Sequence, residues 1–240
     1  MELHDNVAVV TGASSGIGQA IARELSAAGV RLVVTARRAQ RLVELQDSLG
    51  GPCACLAAAV EDPATPQALL DLARERFGRV DILINNAGMV VSGPVDRIDL
   101  EELAQMTRVN FDAVVRASYV FARALKAQGS GAIINVSSVG AYLSSSSMGA
   151  YSGLKQALEI FTTSLRLELK GTGVRVGTIA PGTTETEIFE RMRSQGMGVR
   201  ADQTPPLAPQ DVARAVRFML EQPAHANVAR MLLVSASESA

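Results

Sequence analysis

Tyr151 and Lys155 stand four positions apart in Tyr151-Ser152-Gly153-Leu154-Lys155. On a helix this spacing puts both side chains on one face, about one turn apart. A lysine ammonium near a phenol favours the phenolate and draws the phenol pKa down. A tyrosine tuned this way can protonate a forming alkoxide, or take the proton from an alcohol in reverse. Ser138 follows an apolar run at 132–136, where its hydroxyl can hydrogen-bond a substrate oxygen. Alone, Y-x-x-x-K is a weak signal, because a half-buried core tyrosine produces the same pattern.

A second constellation lies near the start of the chain. Directly after an apolar run at 6–10 comes Thr11-Gly12-Ala13-Ser14-Ser15-Gly16-Ile17-Gly18, followed by a helical pattern. Glycines let the backbone turn tightly and approach a pyrophosphate with no Cβ in the way. The helix N-terminus supplies free N–H groups and partial positive charge. The spacing is G-x-x-x-G-x-G rather than G-x-G-x-x-G, but its place at a strand–helix junction predicts a nucleotide site. Gly12, Ser14, Ser15, Gly16, Ile17 and Gly18 form the expected cradle.

The next strand selects the cofactor. An NAD site commonly holds the ribose 2′-hydroxyl with an acid about 20 residues after the glycines. Here the strand ends Thr35-Ala36-Arg37-Arg38, with no acid. Two guanidiniums suit a 2′-phosphate. A merely solvated pair at a helix start would gain nothing from the helix dipole. NADP(H) is the expected cofactor.

These residues need a scaffold that brings them together. Strand-like runs at 6–10, 31–35, 53–58, 80–84, 132–136, 174–179 and 230–234 alternate with helical patterns at 17–28, 39–49, 63–77, 100–127, 150–170 and 209–220. Pro63 suits the first turn of the third pattern. Seven apolar strands separated by helices predict an α/β, doubly wound Rossmann fold, a seven-stranded parallel sheet with helices on both faces. With no linker or repeat, residues 1–240 read as a single domain. Residues 185–206 look irregular and are expected to form a mobile substrate lid, with Met192 and Met197 in it.

Composition bounds the partners. The chain has 240 residues, 48% of them apolar, enough for one sizeable core. A formal net charge of −1 gives no global field for nucleic acid or an anionic membrane. The short acidic start at 1–5 lacks a basic signal-peptide region, and no run spans a bilayer, so a cytoplasmic protein is expected. Cys53 and Cys55 are too few and too close for a disulfide framework or zinc site and read as reduced thiols in a strand. No H-E-x-x-H occurs, so no metal site is expected, and His4 and His225 lie far from every motif, so no hydrolase is expected.

Taken together these motifs resemble the short-chain dehydrogenase/reductase family over essentially the whole chain. The shared features are Thr11 to Gly18, Asn85-Asn86-Ala87-Gly88 after the fourth strand, and Asn110 in the long helix. Ser138, Tyr151 with Lys155, and Pro181-Gly182 with Thr186 complete the series. The resemblance implies that Asn110 holds a water linking Lys155 to solvent, although a helix-bending asparagine reads the same way. It implies that Lys155 also binds the nicotinamide ribose, beside Tyr151. Asn86, Ala87 and Gly88 would line the adenosine side. Pro181, Gly182, Thr184 and Thr186 would meet the nicotinamide carboxamide or pyrophosphate. Arg37 would be the main 2′-phosphate ligand, with Ser14 and Arg38 assisting.

The chain also departs from the family pattern. The usual adenine-contacting Asp near Ala59 is missing, leaving an apolar contact from Val60, and the chain ends without the usual glycines. Its ending and the stretch 181–186 are similar to NADP-dependent reductases with broad or secondary-metabolite substrates.

The resemblance implies a ketone or aldehyde interconverted with its alcohol. Tyr142, Leu143 and Met148 would line a mainly apolar pocket. It also implies a homotetramer or homodimer built on the two long helices. The alternative is a non-catalytic NADP(H) sensor of the same fold, although such relatives usually lose the Tyr or Lys. A nucleotide-sugar lyase or epimerase would need an extra C-terminal substrate domain, for which the 35 residues after Pro205 leave no room.

Overall fold

The computed structural model describes residues 2–143, 146–194 and 205–237. Strands β1 (Val7–Thr11), β2 (Arg31–Ala36), β3 (Cys53–Ala57), β4 (Ile82–Asn85), β5 (Gly131–Val136), β6 (Val174–Pro181) and β7 (Arg230–Leu233) make one parallel sheet. Their order is β3-β2-β1-β4-β5-β6-β7.

Alternate side chains of a strand point to opposite faces. In β1, Ala8 and Val10 therefore enter one core, and Val7 and Val9 the other. Helices α1 (Gly16–Ala27), α2 (Ala39–Ser48) and α8 (Pro209–Glu221) cover the first face with Ile21, Leu25, Leu42, Leu45 and Val212. Helices α3 (Thr65–Phe77), α5 (Ala113–Gln128) and α6 (Gly149–Glu168) cover the second with Leu69, Phe121 and Leu165. Apolar burial on both faces explains why the strands read as nearly unbroken apolar runs. The strand order reverses between β1 and β4, which opens a crevice at their C-terminal ends. Cys53 and Cys55 lie on β3 as free thiols.

Three local expectations change. Helix α3 begins at Thr65, so Pro66 rather than Pro63 occupies its first turn. The Asp62 carboxylate accepts from the Ala64 amide at 2.9 Å, a local turn that delays the helix. The long helix at 100–127 is divided into α4 (Leu100–Thr107) and α5 by a π turn at Arg108–Asp112.

The stretch expected to be irregular contains helix α7 (Glu187–Ser194), while 195–204, including Met197, lie outside the described residues. Thr186 starts α7: its hydroxyl accepts from the Phe189 amide at 3.3 Å. Glu187 and Glu190 place acids in its first turn. The stretch leaves and rejoins the body at one point. Thr184 bridges to Leu207, and the Glu185 and Leu207 amides donate to the Leu207 and Thr183 carbonyls at 2.9 and 2.8 Å.

Candidate active site

The loop after β1 is shaped for close approach. Gly12 has φ +68°, and a Cβ there would lie 2.8 Å from Ala87 Cα. A Cβ on Gly18 would lie 2.4 Å from both the Gly12 carbonyl oxygen and Asn86 Nδ2. Ser15 is the N-cap of α1 but makes no side-chain cap bond, and α1 has no acid in its first turn. Its first amides are thus uncapped by side chains and suited to an anion. Across the loop, a Cβ on Gly16 would meet Thr186 Cγ2 at 3.0 Å, so Thr186 faces the start of α1.

The residues after β4 are committed to bracing this loop. Asn86 Nδ2 donates to the Thr11 carbonyl at 3.0 Å, and the Asn86 and Ala87 amides both donate to the Thr11 hydroxyl at 3.0 Å. Val60 and Ala87 line a common hollow. The acids following Val60 are engaged elsewhere: Glu61 accepts from Gln105 at 2.7 Å, and Asp62 holds the turn into α3. On the opposite side, the Gly182 amide donates to the Leu233 carbonyl at 2.7 Å, which fixes the end of β6 at Pro181. Thr184 and Thr186 donate their hydroxyls within their own loop, to the Gly182 and Thr184 carbonyls.

The arginine pair divides. Arg38 reaches the phosphate loop, donating from Nη2 to Ser14 Oγ at 3.0 Å and to Ser15 Oγ at 2.7 Å. Arg37 is exposed and makes no hydrogen bond or ion pair with a described residue.

At the ends of β4 and β5, a buried polar chain locates α6. Asn85 Nδ2 donates to Ser118 Oγ at 3.1 Å and to Asn135 Oδ1 at 2.8 Å, and Asn135 Nδ2 donates to Thr162 of α6 at 2.9 Å. Lys155 is 6% exposed, and its Nζ donates to the Val136 carbonyl at 2.9 Å. That Nζ lies 5.9 Å from the Tyr151 ring centroid. Ser138 caps the short turn Val139–Ala141 by accepting from the Gly140 amide. Gly140 packs against both hydroxyl bearers: a Cβ on it would lie 3.3 Å from Tyr151 Cε1 and 3.4 Å from Ser138 Oγ.

Burial pushes the Tyr151 phenol above its ordinary value, while the Ser138 hydroxyl pulls it down. Burial lowers Lys155 to about 8, and Glu159 opposes that fall. The expected depression of Tyr151 by Lys155 is therefore not what dominates here. Desolvation does, and it keeps the phenol protonated. Asn110 lies in the π turn, 1% exposed. Its Oδ1 accepts from the Met89 amide at 2.9 Å and its Nδ2 donates to the Met89 carbonyl at 2.7 Å. The side chain thus pins the loop after β4 against the widened turn.

The short chain dehydrogenase family matches residues 6–196. The chain belongs to the short-chain dehydrogenase family. It is 36% identical to sulfoacetaldehyde reductase 2 of Chromohalobacter salexigens over 94% of this chain and 92% of that protein. Among solved structures it is similar to a serine dehydrogenase in complex with NADP+ (TM-score 0.89, 28% identity, covering 98% of this chain and 96% of the other). It is also similar to a 3-ketoacyl-(acyl-carrier-protein) reductase of Brucella melitensis in complex with NADH (TM-score 0.89, 26% identity, covering 98% and 99%). This short-chain dehydrogenase is an oxidoreductase with an α/β Rossmann-like fold. Among the described residues no helix is long and apolar enough to cross a membrane, and no group of three His, Cys, Asp or Glu could hold a metal.

Two carboxylates of this short-chain dehydrogenase escaped the sequence reading. Glu159, four residues after Lys155, is 1% exposed; its Oε2 accepts from Thr178 at 2.8 Å and from Arg230 at 3.1 Å. The i,i+4 spacing from Lys155 was a usable signal. Glu187 accepts from Arg38 Nη1 at 2.8 Å and also from Arg41. No local pattern points to that contact, because the partners are 149 and 146 residues apart in the chain.

Proposed function

We propose that this short-chain dehydrogenase is NADP(H)-dependent and interconverts a ketone or aldehyde with its alcohol, with Tyr151 as general acid/base. The observation that carries this reading is that Ser138, Tyr151 and Lys155 gather around the end of β5, at the same C-terminal edge of the sheet as the glycine cradle after β1.

The cradle fits a dinucleotide: a side chain at Gly12 or Gly18 would collide with backbone, and the α1 amides are uncapped by side chains. Gly12, Ser14, Ser15, Gly16, Ile17 and Gly18 would hold the pyrophosphate and adjoining ribose, with Arg37 and Arg38 on the 2′-phosphate. Val60, Asn86, Ala87 and Gly88 would border the adenosine. Pro181, Gly182, Thr184 and Thr186 would border the nicotinamide end, where Lys155 would reach the ribose hydroxyls. When bound, NADPH supplies a hydride to the carbonyl carbon, and NADP+ accepts one in reverse.

The chain's own residues handle the proton. Ser138 Oγ orients the substrate oxygen toward Tyr151. The phenol, kept protonated by burial, donates to that oxygen as it becomes an alkoxide, and Lys155 supports the phenolate that forms. Asn110 completes a route to solvent. Because its side chain is bound to Met89, we assign the water contact to a backbone carbonyl of its π turn, where the regular i→i+4 ladder is interrupted.

Tyr142 and Leu143, both exposed, would ring the substrate entrance. The stretch 185–206, with its ends pinned together, would serve as the substrate lid within a single-domain enzyme. Exposed Tyr119, Ile160 and Leu167 on α5 and α6 support a homodimer or homotetramer.

Absorbance at 340 nm tests this reading with NADPH and a panel of ketones, aldehydes and diketones. Consumption of NADPH with at least one carbonyl is expected. NADPH binding without turnover across the panel would favour the non-catalytic sensor.

Lys155 carries a pH prediction. It is protonated below about 8 and neutral above. Saturated carbonyl reduction should hold below that pH and fall as Lys155 loses its charge. Lys155→Met should lower turnover, weaken cofactor binding and abolish the limb near 8. Its residual alcohol oxidation should need higher pH, because the phenol has lost its nearby cation. A kcat–pH profile identical to wild type would count against the role.

A further inference from the structure

We propose that Glu187 is a cofactor-selectivity residue: its carboxylate occupies the two arginines at the phosphate loop and competes with a ribose 2′-phosphate for them. The inference rests on the NADP(H) reading above. Arg38 binds Ser14 and Ser15 on one side and Glu187 on the other, and Arg41 of α2 closes on the second oxygen of the same carboxylate. All three ionic side chains are roughly half exposed, so water and ligand can reach them. Arg41 and Glu187 line a groove of about 410 Å³ together with Ser14, Ser15 and Thr186.

Charge explains the competition. A phosphate monoester carries about −1.5 to −2 at neutral pH. Arg38 and Arg41 together would match it, but one carboxylate between them already cancels half of their charge. The two arginines hold Glu187 below the usual carboxylate range, so it remains an anion throughout the working pH range. Glu187 is also the first residue of α7, where a negative charge is favoured by the helix dipole. Its place there does not depend on the arginines alone, and it can give them up to a ligand.

The test compares Glu187→Gln with wild type by calorimetric titration of 2′,5′-ADP and 5′-ADP, and by fluorescence titration of NADPH and NADH. Removing the charge should tighten 2′,5′-ADP and NADPH relative to 5′-ADP and NADH by about three- to tenfold, the scale of one to two exposed ion pairs. An unchanged ratio would overturn the proposal. A weakened 2′,5′-ADP would instead make Glu187 a brace that orients the arginines, and selective weakening of NADH would make it a ribose-hydroxyl acceptor. Either result would also overturn it. Arg38→Ala and Arg37→Ala separate this from the underlying reading. If Arg38→Ala and Arg37→Ala both leave 2′,5′-ADP binding unchanged, the 2′-phosphate assignment itself fails. If Arg38→Ala weakens it and Glu187→Gln does not strengthen it, only the competition fails.

Discussion

Tyr151→Phe is expected to lower carbonyl reduction by about 10²–10⁴-fold, the usual worth of general acid catalysis, while NADPH still binds. The substitution keeps the ring, which is packed beside Gly140 and opposite Ser138, and removes only the hydroxyl. Burial holds that hydroxyl in its protonated form, so wild type begins each reduction with its proton in place. Ser138 cannot replace it, since an unperturbed serine hydroxyl is a far weaker acid than a phenol. Steady-state kcat beside an NADPH fluorescence titration separates the two effects. Turnover close to wild type would rule out Tyr151 as the proton donor.

Cofactor choice should change with the charges at the end of β2. A hydrogen bond to a charged group contributes about 1.5–3 kcal/mol, and about 1.4 kcal/mol corresponds to tenfold in affinity. Arg37→Ala and Arg38→Ala should each weaken NADPH by roughly 10–100-fold on that scale and change NADH much less. The two arginines contribute differently. Arg38 is already oriented by Ser14 and Ser15, whereas Arg37 is exposed and has no described partner to give up. Ala36→Asp should act in the opposite sense, repelling the phosphate and accepting from the ribose hydroxyl of NADH. The check is kcat/KM for both cofactors in wild type and the three variants. A wild-type preference for NADH, or an NADPH/NADH ratio untouched by both arginine deletions, would refute the assignment.

Much of this architecture is legible in the chain because it is written in short-range patterns. The strands are apolar on both faces, as Val7 to Val10 illustrate by dividing between two cores, and a parallel sheet covered on both sides demands that. The cradle is legible because Gly12 and Gly18 stand where a Cβ would strike backbone. Tyr151 and Lys155 are legible because helix geometry fixes what four residues of separation means. The missing parts depend on contacts made across the fold. The π turn at Asn110 depends on Met89, which the chain delivers from the loop after β4. The Arg38–Glu187–Arg41 cluster exists only once β2, α2 and α7 meet at the sheet's C-terminal edge. Helix α7 is hard to read from the chain because, although Thr186 and the acids after it form an ordinary helix start, the Gly and Pro residues further along break the helical pattern.

Deuteride transfer tests the central claim most directly. NADPH carrying deuterium on one face of nicotinamide C4 is prepared in both stereochemical forms, and each is incubated with enzyme and a carbonyl that supports turnover. The alcohol is then examined by mass spectrometry and NMR. One of the two forms should deliver a single deuterium to the carbinol carbon, and Tyr151→Phe should slow that transfer about 10²–10⁴-fold without changing its face. An alcohol free of deuterium from both forms, or labelled at full rate by the Tyr151→Phe enzyme, would contradict hydride transfer assisted by Tyr151.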